Sequence, residues 1–82
     1  MAVLMGIDYG TKRIGVALSD REGTMAFPLE VLEHDGAAID RIKHLVRERE
    51  VKKIIVGLPL NLDGSPTDAT AGAREFAKTL NR

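Results

Sequence analysis

A short apolar run that ends in an aspartate is the feature that most constrains the fold of this chain. Residues 3–7 lead directly into Asp8, and Gly10 is followed by a second apolar run over residues 14–18. Two short apolar runs separated by a turn signal predict two antiparallel strands joined by a tight turn. Gly10 has a backbone free to take a positive φ angle, and it can let a bulky anion approach closely.

The position of Asp8 suggests chemistry as well as structure. A carboxylate at the end of a buried strand is costly unless it has partners or a metal ion. Lys12 and Arg13 follow in the same turn, and an acid beside a glycine turn and basic residues can hold a divalent cation against a phosphate. The alternative is that Asp8 only forms the turn, because Asp-x-Gly is common turn chemistry.

Length and composition exclude several classes of protein. The chain has 82 residues, a net charge of zero and no cysteine. One small domain fits this length, and the lack of cysteine excludes a disulfide scaffold, a cysteine nucleophile and cysteine-ligated zinc. The segment before Asp8 is too short for a signal peptide or a membrane span, so we expect a cytoplasmic protein with no membrane partner. Binding to a polyanion would need a local basic patch.

Apolar periodicity and turn signals predict six elements in the order β-β-β-α-β-α. The predicted strands are residues 2–8, 13–19, 25–33 and 51–58, and the predicted helices are residues 37–49 and a segment from Ser65 to Leu80. Pro28 places the third strand at a sheet edge, because proline cannot donate a ladder hydrogen bond. We expect Asp35 to cap the first helix, and Ser65 with Asp68 to begin the second in a capping-box arrangement.

These elements predict one α/β domain with a mixed sheet. A right-handed connection through the first helix places the fourth strand beside the first and parallel to it, which gives the strand order 3-2-1-4. The apolar run at residues 54–56 is typical of a strand covered on both faces. Sites form beyond the carboxyl ends of neighbouring parallel strands, which here carry Asp8 and Gly57. The following loop would lie over Asp8, so Asn61 and Asp63 become candidate contacts.

Two motifs carry a resemblance to a known family. The first spans residues 6–17 and the second spans residues 56–65. Together they resemble the amino-terminal part of the YqgF/RuvX family, in the RNase H-like superfamily. Members are described as Holliday-junction resolvases and as nucleases that mature the 5′ end of pre-16S ribosomal RNA. The resemblance implies an RNase H-like α/β fold, with residues 1–82 forming a single truncated domain. It also implies a metal-dependent nuclease that acts on an rRNA precursor or branched DNA.

The resemblance implies a role for each matching residue. Asp8 matches the catalytic carboxylate that binds Mg²⁺ or Mn²⁺ at the end of the first strand. The implied substrate contacts lie in the two turns of the motifs and are Gly10, Thr11, Lys12, Arg13, Asn61, Asp63 and Gly64. The family's other carboxylates follow the last helix and have no counterpart in this sequence. We therefore expect the 82-residue chain alone to be a weak or inactive nuclease.

Two other functions stay open. The pattern Gly-x-Asp-x-Gly-Thr also resembles the phosphate-binding hairpin of the actin, heat-shock ATPase and sugar-kinase superfamily, which has the same element order. In that case Asp8 would position Mg²⁺, and the amides of Gly10 and Thr11 would bind nucleotide phosphates. The remaining alternative is a catalytically inactive interaction module.

Three surface features complete the predictions. A fourth strand without a further neighbour presents an apolar edge, which predicts self-association through Ile54, Ile55 and Val56. The basic residues between positions 41 and 53 are interpreted as the solvated face of a helix rather than a nucleic-acid patch. His34 and His44 lie in unrelated elements, so we interpret both as surface residues and not as metal ligands.

Overall fold

The computed structural model describes residues 2–81, and its six elements follow the predicted order. The elements are β1 (Val3–Tyr9), β2 (Arg13–Ser19), β3 (Ala26–Glu33), α1 (Ala38–Glu48), β4 (Val51–Gly57) and α2 (Thr70–Leu80). β1 pairs antiparallel with β2 and parallel with β4, and β3 pairs with β2, so the strand order is β3-β2-β1-β4. The predicted α/β architecture, strand order and edge position of Pro28 are confirmed.

One face of the sheet forms the core together with both helices. Side chains alternate along a strand, so every second residue of β1 and β2 faces the helices. The helical members recur at intervals of three and four residues, as expected for one face of an amphipathic helix. The buried apolar cluster consists of Met5, Ile7, Ile14, Val16, Ala38, Ile42, Leu45 and Phe76. Because both helices contribute to the same cluster, they lie on the same side of the sheet.

No described residue covers the central strands on the opposite face, which we call the open face. In β1 this face carries Gly6 and Asp8, and in β4 it carries Ile55, which is 52% exposed. The prediction that β4 is covered on both faces is therefore wrong for residues 2–81. Ile54 and Val56 pack against the core, whereas Ile55 between them points to the open face.

Asp35 stabilises the turn before α1 but is not its N-cap. Its side chain accepts a hydrogen bond from the Ala37 N–H at 2.9 Å, and its carbonyl accepts one from the Ala38 N–H at 3.3 Å. Ala37 occupies the cap position without a side-chain hydrogen bond. The predicted cap residue therefore lies two residues before the observed cap position.

The predicted start of α2 at Ser65 is wrong. The helix begins at Thr70, and Ala69 occupies its cap position without a side-chain hydrogen bond. Ser65 instead binds Asp63, because its N–H and its hydroxyl both donate to the Asp63 carboxylate, at 2.9 and 2.6 Å. Ser65 and Asp68 are residue types that cap helices, but Ser65 donates its hydrogen bonds to Asp63 within the loop.

Among residues 2–81, neither helix is long and apolar enough to cross a membrane.

Candidate functional site

Asp8 lies near the carboxyl end of β1, between two neighbouring strands. Its partners across the sheet are Gly15 in β2 and Gly57 in β4. Neither glycine places a side chain beside Asp8; a Cβ on Gly15 would contact the Asp8 Cβ at 3.5 Å, and a Cβ on Gly57 would contact the Ile7 carbonyl oxygen at 3.7 Å. Asp8 is exposed on the open face, so the expectation of a buried acid is wrong. The carboxylate is consequently accessible to a ligand from solvent.

A shallow depression of about 640 Å³ extends from Asp8 across the open face. Its apolar sides include Val31 and Ile55, which are 69% and 52% exposed. The depression is also lined by small residues, namely Gly6, Gly15, Ala17 and Gly57. All the residues that line this depression belong to the four strands, so the loop after β4 does not contribute to it.

The turn between β1 and β2 requires a residue without a side chain at Gly10. Among the described glycines, the positive φ angles belong to Gly23 and Gly64, so the turn does not use the freedom of Gly10 to take a positive φ. A Cβ on Gly10 would instead collide with the carbonyl oxygen of Arg13. Lys12 and Arg13 are exposed, as is Thr11 between them and the glycine. The turn is thus tightly closed, and it presents two basic side chains to solvent.

The loop between β4 and α2 is held together by its own polar groups. The Asn61 N–H donates to the Ser65 carbonyl, and the Gly64 N–H donates to the Asn61 carbonyl, both at 2.9 Å. The Ser65 hydroxyl accepts from Asn61 Nδ2 at 2.9 Å. Hydrogen bonds from the Ser65 hydroxyl and N–H lower the pKa of Asp63 below its usual value. Asn61 and Asp63 therefore shape the loop, and their role as substrate contacts stays a prediction.

Sequence reasoning missed Thr70, which ties this loop to α2. Thr70 is 3% exposed, and its hydroxyl donates to the carbonyl of Pro59 at the start of the loop. The Thr67 N–H donates to the same Thr70 hydroxyl at 2.8 Å. No periodic pattern distinguishes such a threonine from an ordinary loop residue, so the sequence offered no signal for it.

Sequence reasoning also missed an aromatic cluster behind the Gly10 turn. The ring centroids of Tyr9 and His34 are 4.9 Å apart, and those of Tyr9 and Phe76 are 5.3 Å apart. His34 is half-buried, and its Nδ1 lies 2.8 Å from the Gly10 carbonyl oxygen, so its interpretation as a surface residue is wrong. His44 is exposed as predicted.

Residues 2–81 do not supply a complete metal centre. They contain no group of three or more histidine or acidic side chains placed to share an ion. Glu30 of β3 also borders the depression, but it pairs with the core-facing Val16, and its carboxylate binds Arg41 of α1 at 2.7 Å, which lowers its pKa. A two-cation site needs several oxygen ligands. Asp8 is suited to be one of these ligands, but the described residues alone do not fit such a pair.

The sheet order, the parallel pairing of β1 with β4 and the acid at the end of β1 agree with the expected RNase H-like fold. A family model described as RuvX, Holliday junction resolvase, matches residues 2–82. The chain therefore belongs to this family.

Curated relatives match along nearly the whole chain. A protein of Leifsonia xyli is 50% identical over 95% of this chain and 52% of its own length. A protein of Thermobifida fusca is 44% identical over 98% of this chain and 50% of its own length. A protein of Ruegeria sp. is 40% identical over 100% of this chain and 54% of its own length. All three carry the name "Putative pre-16S rRNA nuclease". The chain spans about half the length of the curated relatives it matches.

Proposed function

We propose that this chain supplies the first catalytic carboxylate of a nuclease, and that the whole protein hydrolyses phosphodiester bonds of structured nucleic acid. The observation that carries the proposal is the exposed Asp8 between Gly15 and Gly57, at the sheet end from which the basic turn projects. Family membership and the names of the relatives support an rRNA precursor or branched DNA as the substrate.

The turn after β1 supplies the proposed phosphate contacts. Lys12 and Arg13 are exposed and follow Gly10 and Thr11 in a turn closed against the Arg13 carbonyl. A guanidinium group can bind two phosphate oxygens at once, and an ammonium group acts as a point charge. Since the net charge of the chain is zero, such a local pair of cations is what would attract a polyanion.

Mg²⁺ or Mn²⁺ is the proposed cofactor, with Asp8 as one ligand. These hard cations prefer carboxylate oxygens, and an exposed aspartate flanked by glycines leaves space for their hydration shell. Residues 2–81 contain no group of three or more histidine or acidic side chains placed to share an ion, so Asp8 alone does not complete such a site. We therefore expect these residues alone to cleave nucleic acid weakly or not at all.

A cleavage assay tests the proposal in the natural protein that carries this sequence. The substrates are the 5′ region of pre-16S rRNA and a four-way DNA junction, each with Mg²⁺, with Mn²⁺ and with a chelator. Asp8→Asn should lower the cleavage rate at least about a hundredfold, as expected for a group that stabilises transition-state charge. The control is Asp40→Asn, an exposed acid in the first turn of α1, which should cleave at the wild-type rate.

Two results would contradict the nuclease proposal. One is equal cleavage by the Asp8→Asn variant and the wild type. The other is tight ATP binding without cleavage of either nucleic acid, which would favour the nucleotide-binding hairpin instead.

We also propose that the chain self-associates through β4. In the described sheet β4 pairs with β1 alone, so its other edge has unpaired backbone groups at Ile54, Ile55 and Val56. Such an edge is a template for strand pairing, although Lys52 and Lys53 at its start oppose close approach by repulsion. Sedimentation velocity should show concentration-dependent dimers, and a single monomer species at high concentration would contradict the proposal.

A further inference from the structure

His34 hydrogen-bonds to both sides of the turn that follows Asp8. Its backbone N–H donates to the Lys12 carbonyl at 3.0 Å, and its Nδ1 lies 2.8 Å from the Gly10 carbonyl oxygen. Because a carbonyl oxygen accepts hydrogen bonds and does not donate them, Nδ1 must carry the hydrogen. His34 directly follows the last residue of β3, so this contact joins the end of β3 to the β1–β2 turn.

The imidazole ring is itself fixed by two aromatic neighbours. Tyr9 of β1 packs against it edge to face at 4.9 Å, and Phe76 of α2 does so at 6.2 Å. Phe76 belongs to the buried core. The ring of His34 therefore connects the exposed turn to the buried core.

We propose that His34 is a positioning residue that fixes the backbone of the turn and so directs the Lys12 side chain toward a nucleic-acid phosphate. This inference rests on the proposed function. A turn containing a glycine has many accessible conformations, and holding two of its carbonyls removes most of them before a ligand arrives. A side chain on a preordered turn loses less conformational entropy on binding, which raises affinity without a new contact.

Two substitutions separate the side-chain hydrogen bond from the ring packing. His34→Phe keeps an aromatic ring between Tyr9 and Phe76 but removes the Nδ1–H donor. His34→Asn keeps an N–H donor near the place of Nδ1 but removes the ring. Both variants keep the backbone N–H that donates to the Lys12 carbonyl.

A double-mutant cycle on the binding of a fluorescein-labelled RNA duplex at low salt tests the proposal. His34→Phe should weaken binding about three- to tenfold in the presence of Lys12, as expected for one hydrogen bond. In a Lys12→Ala background the same substitution should change affinity less than about twofold. His34→Asn should bind within about twofold of the wild type. A purely structural role would weaken binding equally in both backgrounds, and thermal unfolding of each variant reports that loss.

The outcomes distinguish the inference from the function on which it rests. If His34→Phe weakens binding equally with and without Lys12, or if His34→Asn binds as weakly as His34→Phe, the positioning role is wrong and nucleic-acid binding remains. If the wild type does not bind the duplex, or if Lys12→Ala leaves its affinity unchanged, the proposed function of the turn fails as well.

Discussion

Gly72 in α2 lies directly against the hydroxyl group of Tyr9. A Cβ on Gly72 would lie 2.8 Å from the Tyr9 Oη and 3.4 Å from its Cζ. Tyr9 follows Asp8 in β1, and its ring packs on Phe76 of α2. The missing side chain at position 72 therefore lets α2 approach the end of the strand that carries the candidate catalytic acid.

Gly72→Ala should destabilise the protein even though alanine favours helices. The helical preference alone would raise the free energy of unfolding by about 0.5–1 kcal/mol, but displacement of the Tyr9 ring should cost about 1–3 kcal/mol. Tyr9→Phe removes the atom that would lie nearest, so Gly72→Ala should be neutral or stabilising in that background. Urea unfolding of the four proteins measures the difference, and a stabilising Gly72→Ala in both backgrounds would contradict this packing.

Gly10→Ala should destabilise the β1–β2 turn, because its Cβ would collide with a backbone atom, the Arg13 carbonyl oxygen. Backbone cannot move aside as a flexible side chain can, so we expect a loss of about 1–3 kcal/mol. Gly36→Ala is the matched control, since a Cβ there meets nothing within 4 Å. Its unfolding free energy should change by less than about 0.5 kcal/mol. Similar losses in the two variants would show that the turn is not closed as described.

The loop before α2 should loosen at acid pH because of Asp63. Hydrogen bonds from Ser65 hold the pKa of Asp63 below its usual value in the folded protein. The stabilisation is therefore fully present above the unfolded-state pKa of about 3.9, and it is lost as the pH falls through the lower folded value. Carboxyl ¹³C NMR titration measures this pKa, and Ser65→Ala should raise it toward its usual value. An unchanged titration in that variant would mean that Ser65 does not hold the carboxylate.

The order of the elements and of the strands could be predicted because both depend on local signals. Apolar periodicity located every helix and strand. Pro28 placed β3 at a sheet edge because proline lacks the backbone N–H that a central strand needs for its hydrogen bonds. The bounds of β2 agree residue for residue with the prediction, since the Gly10 turn precedes the strand and a second turn follows it, in which the Asp20 carboxylate accepts a hydrogen bond from the Thr24 N–H at 2.8 Å.

The wrong predictions concern contacts that a local pattern does not encode. Asp8 and Ile55 were expected to be buried, but their exposure depends on what covers the second face of the sheet. Ser65 has the chemistry of a helix cap, yet its hydrogen bonds to Asp63 take precedence. His34 contacts a carbonyl 24 residues earlier in the chain, a distance at which spacing carries no information.

We propose that Asp8 binds a divalent cation, and paramagnetic line broadening by Mn²⁺ detects such binding in this chain. Because broadening is strong even when an ion binds weakly, a single carboxylate ligand suffices for detection. If Asp8 is the ligand, the amide signals of Asp8, Gly15 and Gly57 broaden first, Asp8→Asn abolishes this effect, and Asp40→Asn preserves it. Broadening that starts at Asp20 or Asp63 instead, or that persists unchanged in the Asp8→Asn variant, would show that the ion does not bind at Asp8.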